Sequence, residues 1–464
     1  MGSNVKNPIL IVQGGQWGSE AKGAAAAYLC VSRGVNYTVR TGAINAGHTV
    51  YFQDQPYAMQ QIPVGWVNPH TQLVIGAGAY IHPETLFREI DMIAKAIPEL
   101  NPLDRLLIDF RCGIHDEGAE LASKEANRHH RIGATGKGCS EAIVAKIRNR
   151  NDGYELFANT EAGKRYRDMG GKFTDTVGLL NRVVDQGGTI LIEGTQGTLL
   201  DLHLGPYPYT TSRMTSASNW VSECGLAPSL NYETVLVCRT YPIRVAGNSG
   251  PMGSEIEWTD LARSINRRLD KAGLPPLVAP DAIAEFDAAI DAAAIRAVES
   301  GKYTVPTLGL HLNTRLSSWT PEDRSTYRVA ASELHRDALN SVAPSTLIEL
   351  KKLFEMTTVT KKLRRLAKLD WDDLEFAVAV NRPEWICMTF LDYDFPELRN
   401  ITAKEATEAI TNELDPHHEA IKQVCQMTAD VQKRLDVPVR AVSFGPRMEN
   451  MFSAAHLWSR RSFR

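Results

Sequence analysis

No apolar run in this sequence approaches the roughly 18 residues that a membrane-spanning helix needs, so no transmembrane segment is expected. Paired cysteines are missing too. The seven cysteines (Cys30, Cys112, Cys139, Cys224, Cys238, Cys387 and Cys425) are odd in number, widely spaced and contain no C-x-x-C. That pattern argues against a disulfide framework or a dedicated cysteine zinc site, and it points to reduced thiols in a cytoplasmic compartment. A dominant charge is also absent, since 51 Lys+Arg stand against 54 Asp+Glu for a net charge of −3. A strongly basic nucleic-acid clamp is thereby disfavoured, and neither nucleic acid nor membrane is expected as a partner. There is no internal repeat, no low-complexity tract and no secretory signal, because MGSNVKNPILIVQGG passes directly into a strand pattern. What is present is an ordinary globular composition, 464 residues at 43% hydrophobic and 23% charged. The length allows about three domains, or one large α/β domain with additions, and core size is not limiting.

Short apolar runs recur along the chain at 9–12, 36–40, 72–75, 106–109, 189–192 and 234–237, with helix-prone segments between them, the first an Ala-rich stretch at 20–30. This alternation predicts an α/β fold: a large, mostly parallel central sheet with helices on both faces. From 257 to 354 the composition changes. Asp281 is a plausible cap for an Ala-rich helix at 282–298 that ends before Gly301, and a second helix is expected at 344–354. A connector around Thr304-Val305-Pro306 lies between them. Strands are expected again at 385–390 and 439–443, around a helix at 404–414, before a basic tail at 460–464. The chain reads as one domain over 1–464 that carries a largely helical insertion at 257–354.

Two glycine-bearing segments follow the first two strands. Gly14-Gly15-Gln16-Trp17-Gly18-Ser19-Glu20-Ala21-Lys22-Gly23 joins the first strand to the first helix, an arrangement that aims backbone N–H groups and a helix N-terminus at an anion. Lys22 adds a point charge suited to a phosphoryl group. Neither the P-loop spacing nor G-x-G-x-x-G is present, and such a turn on its own can be purely structural. The second segment, Arg40-Thr41-Gly42-Ala43-Ile44-Asn45-Ala46-Gly47-His48-Thr49, opens on the same sheet edge, where ligands of open α/β sheets bind. His48 there is suited to general acid work, although a lone loop histidine is as readily a surface residue.

Together these segments resemble the adenylosuccinate synthetase family. The resemblance continues through Glu193-Gly194-Thr195-Gln196-Gly197-Thr198-Leu199-Leu200-Asp201, Tyr207-Pro208-Tyr209-Thr210-Thr211-Ser212, Arg244-Val245-Ala246-Gly247-Asn248, Leu391-Asp392 and Ser443-Phe444-Gly445-Pro446-Arg447. It implies a carbon–nitrogen ligase that couples a purine 6-oxo nucleotide to aspartate at the expense of a nucleoside triphosphate, with Mg²⁺ as cofactor. A 6-oxo group leaves poorly until it is phosphorylated, so the triphosphate first phosphorylates O6 and the aspartate amine then displaces phosphate. By this resemblance the catalytic set is Ser19, Lys22, His48 and Gln196. Ser19, Asn45, Thr135, Arg148, Gln196, Thr211 and Val245 hold the purine nucleotide, with Arg148 (or Arg150, if the alignment slips) lent by the second subunit of a homodimer. Val359, Thr360, Lys362 and Arg364 take aspartate. Gly18, Glu20, Ala21, Lys22, Gly23, Gly47, His48, Thr49, Asp392, Ser443, Gly445 and Pro446 take the triphosphate, and Ser19 and Gly47 contact the metal.

Three departures from the family pattern bear on substrate. Ser19 stands where the family carries an aspartate that takes the N1 proton and binds Mg²⁺, and a hydroxyl does neither well unaided. Lys362 replaces an arginine fork in the aspartate loop, and Phe390 replaces the lysine of a K-L-D motif at the triphosphate base. The serine pattern is similar to phage-type N6-succino-2-amino-2′-deoxyadenylate synthases, which act on dGMP. A neutral Ser19 leaves room for, or accepts from, the 2-amino group of guanine. The resemblance therefore implies a 2-aminoadenine DNA precursor as product, made in the host cytoplasm if the chain is phage-encoded, with ATP, dATP or GTP as donor. Two alternatives stand beside it: ordinary adenylosuccinate synthesis from IMP with GTP, and a catalytically silent nucleotide-binding protein.

Overall fold

The apolar runs become strands. The computed structural model describes residues 8–125, 136–304, 321–357 and 362–457. Ten strands among them form one sheet: β1 (Ile9–Gly14), β2 (Tyr37–Arg40), β3 (Gln72–Ile75), β4 (Leu106–Asp109), β5 (Lys172–Thr174), β6 (Ile190–Glu193), β7 (Tyr232–Arg239), β8 (Trp385–Thr389), β9 (Val439–Ser443) and β10 (Met451–Ser453). Their order is β10-β9-β8-β7-β1-β6-β2-β3-β4-β5. Every neighbouring pair is parallel except β9 with β10. The expected α/β architecture is thus present.

β1 sits mid-sheet, flanked by β6 and β7, and is buried along its whole length. Successive side chains of a strand point to opposite faces, so a strand covered on both sides needs apolar residues throughout. Leu10 and Val12 pack on one face with Ala24, Ala27 and Cys30 of α1 (Lys22–Ser32). Ile9 and Ile11 pack on the other with Leu180, Trp220 and Cys224. At about 25 cal/mol per Å² of apolar surface, a fully buried Ile or Val contributes roughly 1.5–3 kcal/mol. The strand that launches the first glycine-rich loop is therefore held as firmly as any part of the sheet.

The later region contains helices Trp258–Lys271, Pro280–Glu299, Pro321–Ser341 and Pro344–Leu350. Trp258, Phe286, Leu334, Leu350 and Phe354 form a cluster of their own together with Ile243 and Leu366. Those last two residues lie on a small antiparallel sheet of Ile243–Arg244, Arg365–Ala367 and Glu255–Ile256, which carries the chain from the end of β7 to the helices and back.

Several local expectations are corrected. Asp281 is not the helix cap: Ala279 is, because Pro280 already has the fixed φ favoured at the first helical position. The helix expected at 344–354 ends at Leu350, and the one expected at 404–414 ends at Thr411 after starting from a Thr402–Glu405 capping box. α1 starts at Lys22 rather than 20, since Ser19 (φ 61°) and Ala21 (φ 64°) are left-handed. A hairpin, His48–Phe52 with Gln55–Met59, was not signalled by any turn motif. Val305 and Pro306 of the connector and the basic tail lie outside the described residues. No helix among the described residues is long and apolar enough to cross a membrane.

Candidate active site

The glycine-rich loop, the His48 segment, Gln196, Val245, Asp392 and Gly445 all follow the C-terminal ends of parallel strands (β1, β2, β6, β7, β8 and β9), so they open on one edge of the sheet. The first loop is wound around Glu20. This carboxylate is fully buried, accepts from the backbone N–H of Gln16 (3.1 Å) and Gly18 (2.7 Å), and pairs with Lys22 at 2.6 Å. Glu20 thus shapes the loop and holds the Lys22 ammonium in place. Glycine is required at position 14, where a Cβ would lie 2.6 Å from the Gln196 carbonyl oxygen and 2.8 Å from both Glu20 Oε2 and Lys22 Nζ. Ser19, by contrast, is exposed at the crest of the loop.

His48 is buried, and its Nδ1 lies 3.1 Å from Glu193 Oε2. The other carboxylate oxygen of Glu193 accepts from the Val64 N–H at 2.6 Å, and Arg40 Nη1 lies 3.6 Å from the same group. Burial pushes His48 well below its ordinary range, helped by the nearby charges of Arg40 and Lys22. Burial also pushes Glu193 up, to about 7, against the opposing pull of Arg40 and the Val64 amide. The imidazole is therefore neutral at pH 7, and with Nδ1–H donating to Glu193, Nε2 carries the lone pair. That buried Nε2 has no partner within the described residues. To act as an acid it must first gain a proton, which an arriving polyanionic substrate favours.

On the nucleotide side, Gln196 adopts a left-handed backbone (φ 55°), donates to Thr211 Oγ at 3.3 Å and accepts from Thr195 Oγ at 2.9 Å. Asn45 reaches the same Thr211 hydroxyl at 3.5 Å. Two of the expected nucleotide contacts, Asn45 and Gln196, therefore converge on the hydroxyl of a third, Thr211. Val245 is partly exposed, and its carbonyl accepts from Ser249. Arg148 ends the helix Cys139–Arg148 and is exposed, as is Arg150. Thr135, Val359 and Thr360 lie outside the described residues. At the far end of the sheet Asp392 is almost fully buried, 3.6 Å from Arg399, and Ser443 donates to the Gly445 carbonyl at 2.9 Å. Pro446 is exposed beside them.

Of the residues expected to take aspartate, Lys362 and Arg364 are described; beside them, backbone bonds run from Thr357 N to Lys362 O (2.8 Å) and from Arg364 N to Glu355 O (2.9 Å). Glu355 in turn pairs with Arg239, a guanidinium with no exposed surface. Arg40, Glu193, Arg239 and Glu355 escaped the reading of the sequence as functional residues. Three of them carried a usable signal: each is a charged residue that follows directly on an apolar stretch and closes its strand.

A metal ion is implied by the chemistry, and the residues here suit only one kind. No cluster of three His, Cys, Asp or Glu side chains occurs among the described residues. The loop's one carboxylate, Glu20, is spent on Lys22 and backbone amides, so the exposed Ser19 and Gly47 supply only neutral oxygens. That fits a Mg²⁺ carried in on phosphate oxygens and water, not one caged by protein.

A parallel sheet whose central strand feeds a lysine-bearing, amide-rich loop defines an α/β protein that handles phosphorylated ligands at the strand ends. Comparison with known proteins sharpens this. The family model "Adenylosuccinate synthetase" matches residues 11–170 and 152–275. The adenylosuccinate synthetase of Methanocaldococcus jannaschii is 35% identical over 248 residues, 53% of this chain and 68% of that protein. The Pyrococcus horikoshii enzyme is 34% identical over 255 residues, 54% and 71% of the two chains. Two solved structures share the fold across 96% of this chain: the succinoaminodeoxyadenylate synthetase of cyanophage S-2L, bound to dGMP and dATP (TM-score 0.61, 21% identity, 95% of that chain), and the fully ligated Plasmodium falciparum adenylosuccinate synthetase (TM-score 0.60, 19% identity, 100% of that chain). The chain belongs to the adenylosuccinate synthetase family. It is a carbon–nitrogen ligase that joins aspartate to a purine nucleotide.

Proposed function

We propose that the purine nucleotide is dGMP and that the product is N6-succino-2-amino-2′-deoxyadenylate. The observation that carries this reading is Ser19, a short neutral side chain exposed at the crest of the first loop. Guanine differs from hypoxanthine by an amino group at C2, beside N1, and a hydroxyl accepts from that group where a longer carboxylate would crowd it. The likeness in fold to a synthetase bound to dGMP and dATP is consistent with it.

In this reading Lys22 holds the γ-phosphate of the donor, and its release from Glu20 accompanies triphosphate binding. Gln196, Asn45 and Thr211 orient the monophosphate. His48, charged as the polyanions assemble, donates to the O6 side while Glu193 and Arg40 keep its ring in place. O6 takes the γ-phosphoryl group as the bond to the departing nucleoside diphosphate breaks and the N1 proton passes to water or a substrate phosphate; the aspartate amine then attacks C6, gives up its proton to the same acceptors, and the C6–O bond breaks with loss of phosphate. Ser19 and Gly47 would hold Mg²⁺ through neutral oxygens, and the ion would neutralise charge between the phosphates. Arg364 and Lys362 hold the aspartate carboxylates. Phe390 stands where the family's K-L-D lysine would be and stacks its ring on the Arg239 guanidinium at 3.8 Å, so it offers the donor base no cation, which favours ATP or dATP over GTP. A cytoplasmic homodimer completes the picture.

The test is a panel of IMP, GMP, dIMP and dGMP with aspartate, Mg²⁺ and ATP, dATP or GTP, following phosphate release and a new ultraviolet-absorbing product. dGMP is expected to turn over best. Turnover of IMP alone would establish ordinary adenylosuccinate synthesis, the reading favoured by the names of the curated relatives. Nucleotide-induced stabilisation without turnover of any pair would establish a silent binding protein. Ser19→Asp should shift preference toward IMP, since aspartate tolerates the left-handed backbone at this position.

A further inference from the structure

Arg239 ends β7 with its side chain wholly buried, yet it touches three segments that belong to different parts of the reaction. Its Nη1 donates to the Ser19 carbonyl at 3.1 Å. Its guanidinium forms a fork on Glu355, with Nη1 3.3 Å from Oε2 and Nη2 on Oε1. The guanidinium carbon lies 3.8 Å from the centre of the Phe390 ring, immediately before Leu391 and Asp392. The backbone is pinned as well: Arg239 N–H donates to Gln16 Oε1 at 2.9 Å, and Gln16 Nε2 donates to the Arg239 carbonyl at 3.0 Å.

Glu355 is equally committed. It accepts from Tyr393 Oη at 3.0 Å, and its backbone carbonyl accepts from Arg364 N–H at 2.9 Å. Arg364 Nε reaches the neighbouring Met356 carbonyl at 3.3 Å. One planar guanidinium thus spans from the left-handed Ser19 to the residue that holds the Arg364 backbone. Only a fork can do this, since it satisfies a carboxylate and a carbonyl from fixed, coplanar donors; an ammonium on the same stem offers a single point charge.

We propose that Arg239, acting with Glu355, is a positioning residue that sets the Ser19 loop against Arg364, so that the purine carbon and the incoming amine meet in reactive register. This rests on the reading that Ser19 meets the purine and Arg364 the aspartate; it does not depend on which purine is used. Loss of the fork should impair use of aspartate and the chemical step together, while the monophosphate, still held by Asn45, Gln196 and Thr211, loses only the small part of its affinity that Ser19 supplies.

The experiment uses the full-length protein with whichever monophosphate and triphosphate the wild type turns over. In Arg239→Lys, KM for aspartate is expected to rise about tenfold and kcat to fall roughly 10- to 100-fold, the scale of a misplacement near 1 Å. The Kd of the monophosphate, titrated without aspartate, should stay within about twofold. Because a lone lesion can also loosen the fold, the double variant Arg239→Met with Glu355→Gln is the companion: an uncharged pair of similar volume restores thermal stability but leaves the Ser19 carbonyl without its donor. If the double variant recovers both melting temperature and wild-type kinetics, the pair is merely structural and the proposal falls. A monophosphate Kd that weakens in step with KM for aspartate would also overturn it. A wild type that turns over nothing defeats the proposed function, and this inference with it; a wild type that uses IMP defeats only the choice of purine.

Discussion

Asp392 has almost no exposed surface, and among the described residues the cation paired with it, Arg399, stands 3.6 Å away, too far for a hydrogen bond, with Arg239 adding a weaker pull. Burial therefore outweighs attraction and pushes the carboxyl up, to about 6. The folded protein holds a proton there that the unfolded chain gives up near 3.9, so the folded state gains relative stability below about pH 4 and loses it as pH rises through 6. Above pH 6 the buried charge destabilises by about 1–3 kcal/mol. Asp392→Asn should then melt higher than wild type at pH 7.5, with the difference shrinking to nothing near pH 4, as seen by thermal melts across that range. A variant that melts lower at every pH would show that Arg399 stabilises the carboxylate after all. This residue was expected at the donor site from its motif, and Ser19 stood out by its mismatch. Arg40, Glu193 and Arg239 did not, because what gives each its role is a partner 153, 145 and 116 positions away in the chain. A sequence shows that a charged residue closes a strand; it does not show which distant group neutralises it.

Elements were easier to read than residues. A parallel strand buried on both faces must be apolar along its length, and the runs at 72–75, 106–109 and 439–443 match β3, β4 and β9 residue for residue. Helix ends were less legible: a left-handed Ala21 delays α1, and a proline at the first helical position takes the cap away from Asp281. The hairpin that carries His48 was invisible because Gln53 and Asp54 make its turn with positive φ (49° and 62°) without a glycine. How α1 meets this hairpin can be tested at Gly23. A glycine in a helix ordinarily costs 0.5–1 kcal/mol relative to alanine, so Gly23→Ala should stabilise on propensity alone. The added Cβ, however, would stand 2.8 Å from His48 Cβ and 3.0 Å from the Thr49 carbonyl oxygen, and neither is the flexible end of a side chain. Overpacking of this kind costs about 1–3 kcal/mol and outweighs the gain. Gly23→Ala should melt below wild type and lose activity, because relief of the contact moves His48. A rise in melting temperature with unchanged kcat would show that helix and hairpin part freely here.

At the scale of the whole molecule, the sheet edge gathers the Lys22 loop, His48, Gln196 and Asp392 from one chain, but Arg148 lies on a surface helix. It ends that helix and is exposed, and in the proposed function it serves the site of a second copy. A shared site makes a prediction that a self-contained one does not. Arg148→Leu and His48→Asn should each lose most activity alone, the first because a neighbour's site lacks a cation, the second because its own lacks the acid. Mixed so that subunits exchange, they should recover. In a mixed dimer, one site combines an intact His48 with the arginine of the partner, and the other has neither. Random pairing from equal amounts makes half the dimers mixed, with half their sites whole, so about a quarter of wild-type activity should return in a closed two-fold assembly. Size-exclusion and light-scattering measurements would confirm that both variants remain dimers before mixing. Full activity in Arg148→Leu alone would show that this arginine serves no site. A wild type that is itself monomeric, with Arg148→Leu inactive and no recovery on mixing, would place the arginine in the service of its own chain and leave the site complete within one subunit.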